Sequence, residues 1–190
     1  MAEVEVAPLT PERWADLEAL MAPTDGCGGC WCRWWQQTTH AFRANLGEEN
    51  HRQMRDEVAS ASVPPGLIAY AGGRPVGWCR VGPRTSYPRL ARSRTLTPPD
   101  SRPVWSIVCF YVAPEARGAG VARWLCAAAA EFAALHGAEM LEAYPVSARG
   151  RVSPTEAFTG TRRLLAGAGF APVRQGPGRR ELWRRPIPLA

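Results

Sequence analysis

Residues 117 to 122, Arg-Gly-Ala-Gly-Val-Ala, lie between a continuous apolar run, Trp105 to Val112, and a helical stretch that begins near Val121. A strand feeding a glycine-rich turn at a helix start makes an anion site, because the first helical N–H groups have no intrahelical partners and point at whatever sits there. The turn lacks the Gly-Lys-Ser/Thr ending of an NTP loop and the three-glycine spacing of a dinucleotide fingerprint. A second constellation, Glu142-Ala143-Tyr144-Pro145, puts a carboxylate and a phenol on one face of a strand, since strand side chains alternate. The third is Cys27-Gly-Gly-Cys30-Trp31-Cys32-Arg33-Trp34-Trp35. Three thiols at this spacing suggest zinc, but a closed zinc site takes four ligands and usually a second pair, and only His40 and His51 follow nearby, so no metal is expected. Disulfides are not expected of a cytosolic chain. Cys109 and Cys126 fall in apolar runs and read as small core fillers.

The elements that must position these groups follow from periodicity and punctuation. Val4 to Ala7 alternates as a short strand, and Pro11 to Met21 reads as a helix with Thr10 as N-cap and Trp14, Leu17, Leu20 and Met21 on its apolar side. Thr38 to Ser60 is a polar helical region interrupted near Gly47. Leu67 to Tyr70 and Pro75 to Val81 form a hairpin through Ala-Gly-Gly-Arg. Trp105 to Val112 is apolar enough for a central strand covered on both faces. Val121 to His136 is a helix ending at Gly137, Met140 to Pro145 a strand, and Thr155 to Ala166 another helix. Ala171 to Arg174 and Glu181 to Arg185 are weak strands. The order is β-αα-β-β-β-α-β-α-β-β, an α/β chain.

The string Val112-x-Pro114-x-x-Arg117-x-x-Gly120-x-Ala122 resembles the acetyl-CoA signature of the GNAT superfamily of N-acetyltransferases, and the element order is similar to that family's from Val4 to Arg185. The resemblance implies a mixed, mostly antiparallel sheet of about seven strands, splayed at the cofactor cleft and flanked by helices. It implies that backbone groups around Phe110, Tyr111 and Val112 bond the acetyl and pantetheine amides. Main-chain groups of Arg117, Gly118, Ala119, Gly120, Val121 and Ala122 would hold the pyrophosphate, with the glycines allowing close approach.

Catalysis departs from the family pattern. Amine acetylation needs a proton removed from the ammonium, an oxyanion donor, and a way to release the thiolate. Family members commonly place a tyrosine four residues before a Gly-Phe pair; Gly169-Phe170 is present, but the position is Leu165. The frequent asparagine earlier in that helix is also absent, with Thr159 and Thr161 nearest. Histone-type members carry a glutamate base early in the central strand, where this chain has Ser106. The substitutes are therefore Tyr144, Glu142 and a Ser106-ordered water. A thiol pKa of about 8.5 means that the leaving group needs little help.

The segment between the first two helices commonly borders the acceptor pocket in that family, so Trp31, Trp34 and Trp35 with Arg33 would form an aromatic wall there, or else cap the sheet edge. Residues 83–103 form a long polar insertion with Arg84, Arg89, Arg92, Arg94 and Arg102, suited to an anionic acceptor or to surface salt bridges.

The 190 residues suit one domain, spanning 1–190, and 46% hydrophobic content is enough for a core. The N-terminus shows no secretory pattern and no stretch approaches a bilayer span, so a soluble cytoplasmic protein is expected. The net charge of +6 is all arginine, with no lysine. These arginines are dispersed and no nucleic-acid module accompanies them, which argues against RNA, although some family members acetylate aminoacylated tRNA. Dimers are common in the family, and eight tryptophans would serve an aromatic interface or a core equally well. The expected function is acetyl transfer from acetyl-CoA to a primary amine of a small molecule. The alternatives are a CoA-binding protein with little catalysis, or a protein acting on RNA-linked acceptors.

Overall fold

The computed structural model describes residues 4–147, 153, 156–174 and 179–188. Its strands are β1 (Val4–Pro8), β2 (Gly66–Ala71), β3 (Arg74–Pro83), β4 (Val104–Val112), β5 (Met140–Ala143), β6 (Ala171–Arg174) and β7 (Leu182–Pro186). Its α-helices are α1 (Trp14–Met21), α2 (Asp25–Gly29), α3 (Thr39–Ala44), α4 (Glu48–Ser60), α5 (Pro88–Ala91), α6 (Val121–Leu135) and α7 (Arg162–Gly167). The strands form one sheet in the order β1-β2-β3-β4-β5-β7-β6, antiparallel throughout except for the parallel pair β4–β5. A parallel pair needs a crossover, and α6 supplies it.

Alternation along the strands gives the sheet two different faces. Cys79, Ile107, Phe110, Leu141 and Trp183 meet Leu125, Cys126, Ala129 and Ala133 of α6 and Leu165 of α7. Apolar residues four apart on α6 are what bury that helix; each large side chain so buried contributes about 1.5–3 kcal/mol. The opposite face carries Ile68, Trp78, Cys109 and Tyr111 against α1 and α4. Farther along this face, Val108, Tyr144 and Leu182 meet Trp35, Tyr87, Leu90 and Leu96. A register shift in the β3–β4 pairing beside Ile107 and Cys109 leaves Val108 as an extra residue. The bulge puts Val108 and Cys109 on the same face and sets the alternation of the last strand turns.

Most of the expected elements are present; β5 ends at Ala143 instead of Pro145, α2 was not expected, and three further differences have local causes. The helix expected from Thr155 to Ala166 is two pieces, a 3-10 turn at Ala157–Thr159 and α7, because Gly160 between them has φ +91 and Thr161 restarts the helix by accepting from the Leu164 N–H at 3.2 Å; Thr155 itself lies outside the described residues. Thr10 precedes a 3-10 turn at Pro11–Arg13 but makes no side-chain cap. The insertion 83–103 is not bare loop: it holds a 3-10 turn at Arg84–Ser86 followed by α5. No helix among the described residues is long and apolar enough to cross a membrane.

Candidate active site

β4 and β5 pair only from Val104↔Met140 to Ile107↔Ala143. Beyond Ile107, β4 runs on to Val112 with partners on β3 alone, so the two central strands part at Ala143. At the far end of that opening β4 leads through a 3-10 turn, Pro114–Ala116, to the glycine-rich turn and α6. Gly118 and Gly120 both have φ +83, and a Cβ placed on either would meet nothing within 4 Å. No side chain caps the start of α6. Residues 117–120 are exposed, and Arg117 lies back on the strand, its Nε donating to the Val112 carbonyl at 3.2 Å. Uncapped helix N–H groups beside an open, exposed turn form an anion-binding end.

At the point where the strands part, the structure brings Ser106, Glu142 and Tyr144 together. The Tyr144 hydroxyl donates to Glu142 Oε2 at 2.6 Å and accepts from Ser106 Oγ at 2.8 Å and from Arg84 Nη1 at 2.7 Å. Glu142 is also paired with Arg84, and its other oxygen accepts from Arg184 Nε at 2.9 Å. Arg184 continues to Asp100 at 2.8 Å. Ser106, Glu142 and Tyr144 are all fully buried. Burial, reinforced by the Glu142 charge, pushes the Tyr144 phenol well above its ordinary pKa. The partners Arg84, Asp100 and Arg184 come from the insertion and from β7; the Arg184-Arg185 pair reads from sequence as a solvated strand edge, whereas Arg184 is buried against Glu142 and Asp100.

Leu165, where the family commonly has a tyrosine, is fully buried, its Cγ 3.5 Å from where a Cβ on Gly160 would sit. The Phe110 side chain faces the α6 core, while Tyr111 faces the α1 side.

The cysteine-tryptophan segment divides. Cys32 Sγ lies 3.0 Å from Cys109 Sγ and accepts from Trp78 Nε1 at 3.2 Å, deep in the core. Among the described residues no group of three or more metal-ligating side chains is assembled. Arg33 pairs with Glu57, which also pairs with the buried Arg80. Trp31 packs on His51 with ring centroids 4.4 Å apart. Of the expected wall, Trp34 and Trp35 line a cavity of about 480 Å³. It is bounded on its other sides by Arg89, Arg92, Arg179 and Arg180.

The profile of the Acetyltransferase (GNAT) family matches residues 31–149. This chain belongs to the GNAT acetyltransferase family.

No curated protein sequence matches the chain. Among solved structures, a GNAT acetyltransferase from Listeria monocytogenes is 10% identical, with 98% of this chain and 96% of that one covered at a TM-score of 0.62. The PaiA N-acetyltransferase of Thermoplasma acidophilum in complex with coenzyme A is 12% identical, covering 97% and 99% at 0.57. The aminoglycoside acetyltransferase AAC(6')-Iy with a CoA-linked bisubstrate analogue is 16% identical, covering 93% and 97% at 0.59. At these identities the likeness is one of fold. The acyl donor of the GNAT family is acetyl-CoA, and two features of this chain fit it: a strand edge with no neighbour beyond Ile107, suited to an extended amide-bearing arm, and the uncapped turn at Gly118 and Gly120, suited to a pyrophosphate.

Proposed function

We propose that this GNAT protein transfers an acetyl group from acetyl-CoA to a primary amine of a small molecule. The observation that carries the reading is the parting of β4 from β5 directly upstream of an open, uncapped glycine turn. Backbone groups of residues 110–112 hold the extended arm, and those of residues 117–122 hold the phosphates. When bound, acetyl-CoA supplies a thioester whose thiolate is a good leaving group near neutral pH.

Ser106, Glu142 and Tyr144 serve as a positioning cluster. Each is fully buried, and the Tyr144 hydroxyl keeps its proton while donating a hydrogen bond to Glu142. A phenol whose pKa is raised is a weak acid, so the cluster fixes where the strands separate and does not exchange protons with the acceptor. The amine therefore reacts as the fraction that is already free base.

A second reading, a CoA-binding protein with little turnover, is favoured by Leu165 standing buried where a catalytic tyrosine is common in the family. Thiol release from acetyl-CoA in the presence of an amine panel separates the two. Release that depends on amine supports transfer; tight acetyl-CoA binding with no amine-dependent release supports the binding protein.

A further inference from the structure

We infer that the cavity between Trp34, Trp35, Arg89, Arg92 and Arg180 is the acceptor site, and that it selects amines carrying an oxyanion, a carboxylate or a phosphate. The inference rests on the transferase reading for the role of the cavity, but the ligand chemistry follows from the cavity itself.

Four arginines line this space of about 480 Å³, and no carboxylate does. Among the described residues the one ion pair these arginines make is Arg179 with Glu156 at 2.6 Å, and Arg179 points largely to solvent; Glu156 acts on Arg180 only through its charge. The Arg89 guanidinium lies over the Trp34 ring, its Cζ 3.6 Å from the centroid, and donates from one nitrogen to Thr39 Oγ1 at 3.2 Å. Its Nε and Nη2 are buried without any protein acceptor. Leaving donors of a cation desolvated and unpaired is costly, and an oxyanion accepting from both would relieve that cost. Arg180 stacks over Phe158 at 4.5 Å and bonds Thr159 Oγ1. Burial pulls its pKa down to about 10, which leaves it charged at neutral pH. Thr38, Thr39, Ser93 and Thr95 also line the cavity.

The larger cavity of about 570 Å³ shows the contrast. Its Arg84 is held by Glu142, and its Arg102 by Asp100 at 2.8 Å, so its positive charges are already matched.

Position ties the arginine cavity to the reaction centre. The Trp35 ring lies 5.7 Å from that of Tyr144, and Arg180 Nη1 donates to the Tyr144 carbonyl at 3.5 Å. Tyr144 follows Ala143, the last β5 residue paired with β4. An acceptor anchored by its anionic end at Arg89 and Arg92 would extend its other end toward the mouth of the splay.

The test begins with binding alone, by calorimetric titration of the protein with O-phosphoethanolamine, β-alanine and ethanolamine. These amines differ at the end distal to nitrogen, as phosphate, carboxylate and hydroxyl. Expected is binding of at least one anionic member about tenfold or more tighter than ethanolamine, which is ~1.4 kcal/mol, lost in both Arg89→Gln and Arg92→Gln. The stronger of the two anions identifies the group. No anionic preference, or a preference that survives both substitutions, overturns the inference. Acetyl-CoA titration of the same variants is the second arm. An unchanged Kd supports the acceptor site; a weakened one would assign the arginines to the nucleotide and overturn it. Initial rates with acetyl-CoA form the third arm, where higher kcat/KM for a polycationic amine such as neamine than for the anionic amines would also overturn it. Failure of acetyl-CoA to bind the unsubstituted protein would instead defeat the transferase reading, while the anion titration still decides the chemistry of the cavity.

Discussion

The Tyr144 hydroxyl, one residue past the end of β5, donates a hydrogen bond to Glu142 Oε2 at 2.6 Å, and both residues are fully buried. Glu142 in turn balances Arg84 and Arg184. Removing one partner of a buried ion pair leaves the other uncompensated and costs about 3–5 kcal/mol. Glu142→Gln should therefore lower stability by about that much in urea unfolding. A loss below ~1 kcal/mol would place these charges in water.

Tyr144→Phe removes one hydroxyl from the cluster and should leave turnover within about threefold if, as proposed, the buried phenol exchanges no proton with the acceptor. With no protein base in the cluster, kcat/KM should rise about tenfold per pH unit until the acceptor amine's own pKa, near 10 for an alkyl amine. An inflection between pH ~6 and ~8 that disappears in Tyr144→Phe would assign proton transfer to the cluster.

Leu165→Tyr restores the residue type common in the family, but the site is filled core beside Gly160 and Phe110. The larger ring should cost about 1–3 kcal/mol by overpacking and add nothing to turnover. A variant that is both stable and faster would show that the cleft extends to this helix.

Alkaline pH should destabilise the fold. Burial raises the pKa of Cys79, Cys126, Tyr87 and Tyr144 above their ordinary values, Cys126 to about 12. In each case the folded state holds a proton that the unfolded chain gives up sooner. Their contribution is fully present below the unfolded value, 9.0 for the thiols and 10.0 for the phenols. It is lost as pH rises through the higher folded values, at up to ~1.4 kcal/mol per pH unit for each group. Urea midpoints should hold near neutral pH and fall steadily above pH ~9; a flat profile to pH ~11 would contradict the burial of these groups.

The elements that carry the glycine turn were legible because strand, glycine turn and helix are consecutive in sequence, and each leaves a local signal at Val112, Gly120 and Val121. The pairing of Glu142 with Tyr144 was legible for the same reason, through alternation. Their arginine partners were not. Arg84 lies 58 residues before Glu142 and Arg184 lies 42 after it, so only the β4-β5-β7 order brings them together. The break at Gly160 was missed because a lone glycine inside a helical pattern does not announce a positive φ. The arginine cavity draws on residues 34–39, 89–96 and 179–180, three segments whose proximity no periodicity encodes.

The central claim is that the turn from Arg117 to Ala122 grips the phosphates of acetyl-CoA. Its most direct test is calorimetric titration of acetyl-CoA into the protein and into Gly120→Val. Gly120 sits at φ +83, where a β-branched residue is strained and would obstruct the approach to the backbone. One-to-one binding to the unsubstituted protein, weakened at least about tenfold in the variant, which is ~1.4 kcal/mol, is the predicted result. Absence of binding to the unsubstituted protein, or equal affinity in Gly120→Val, would contradict it.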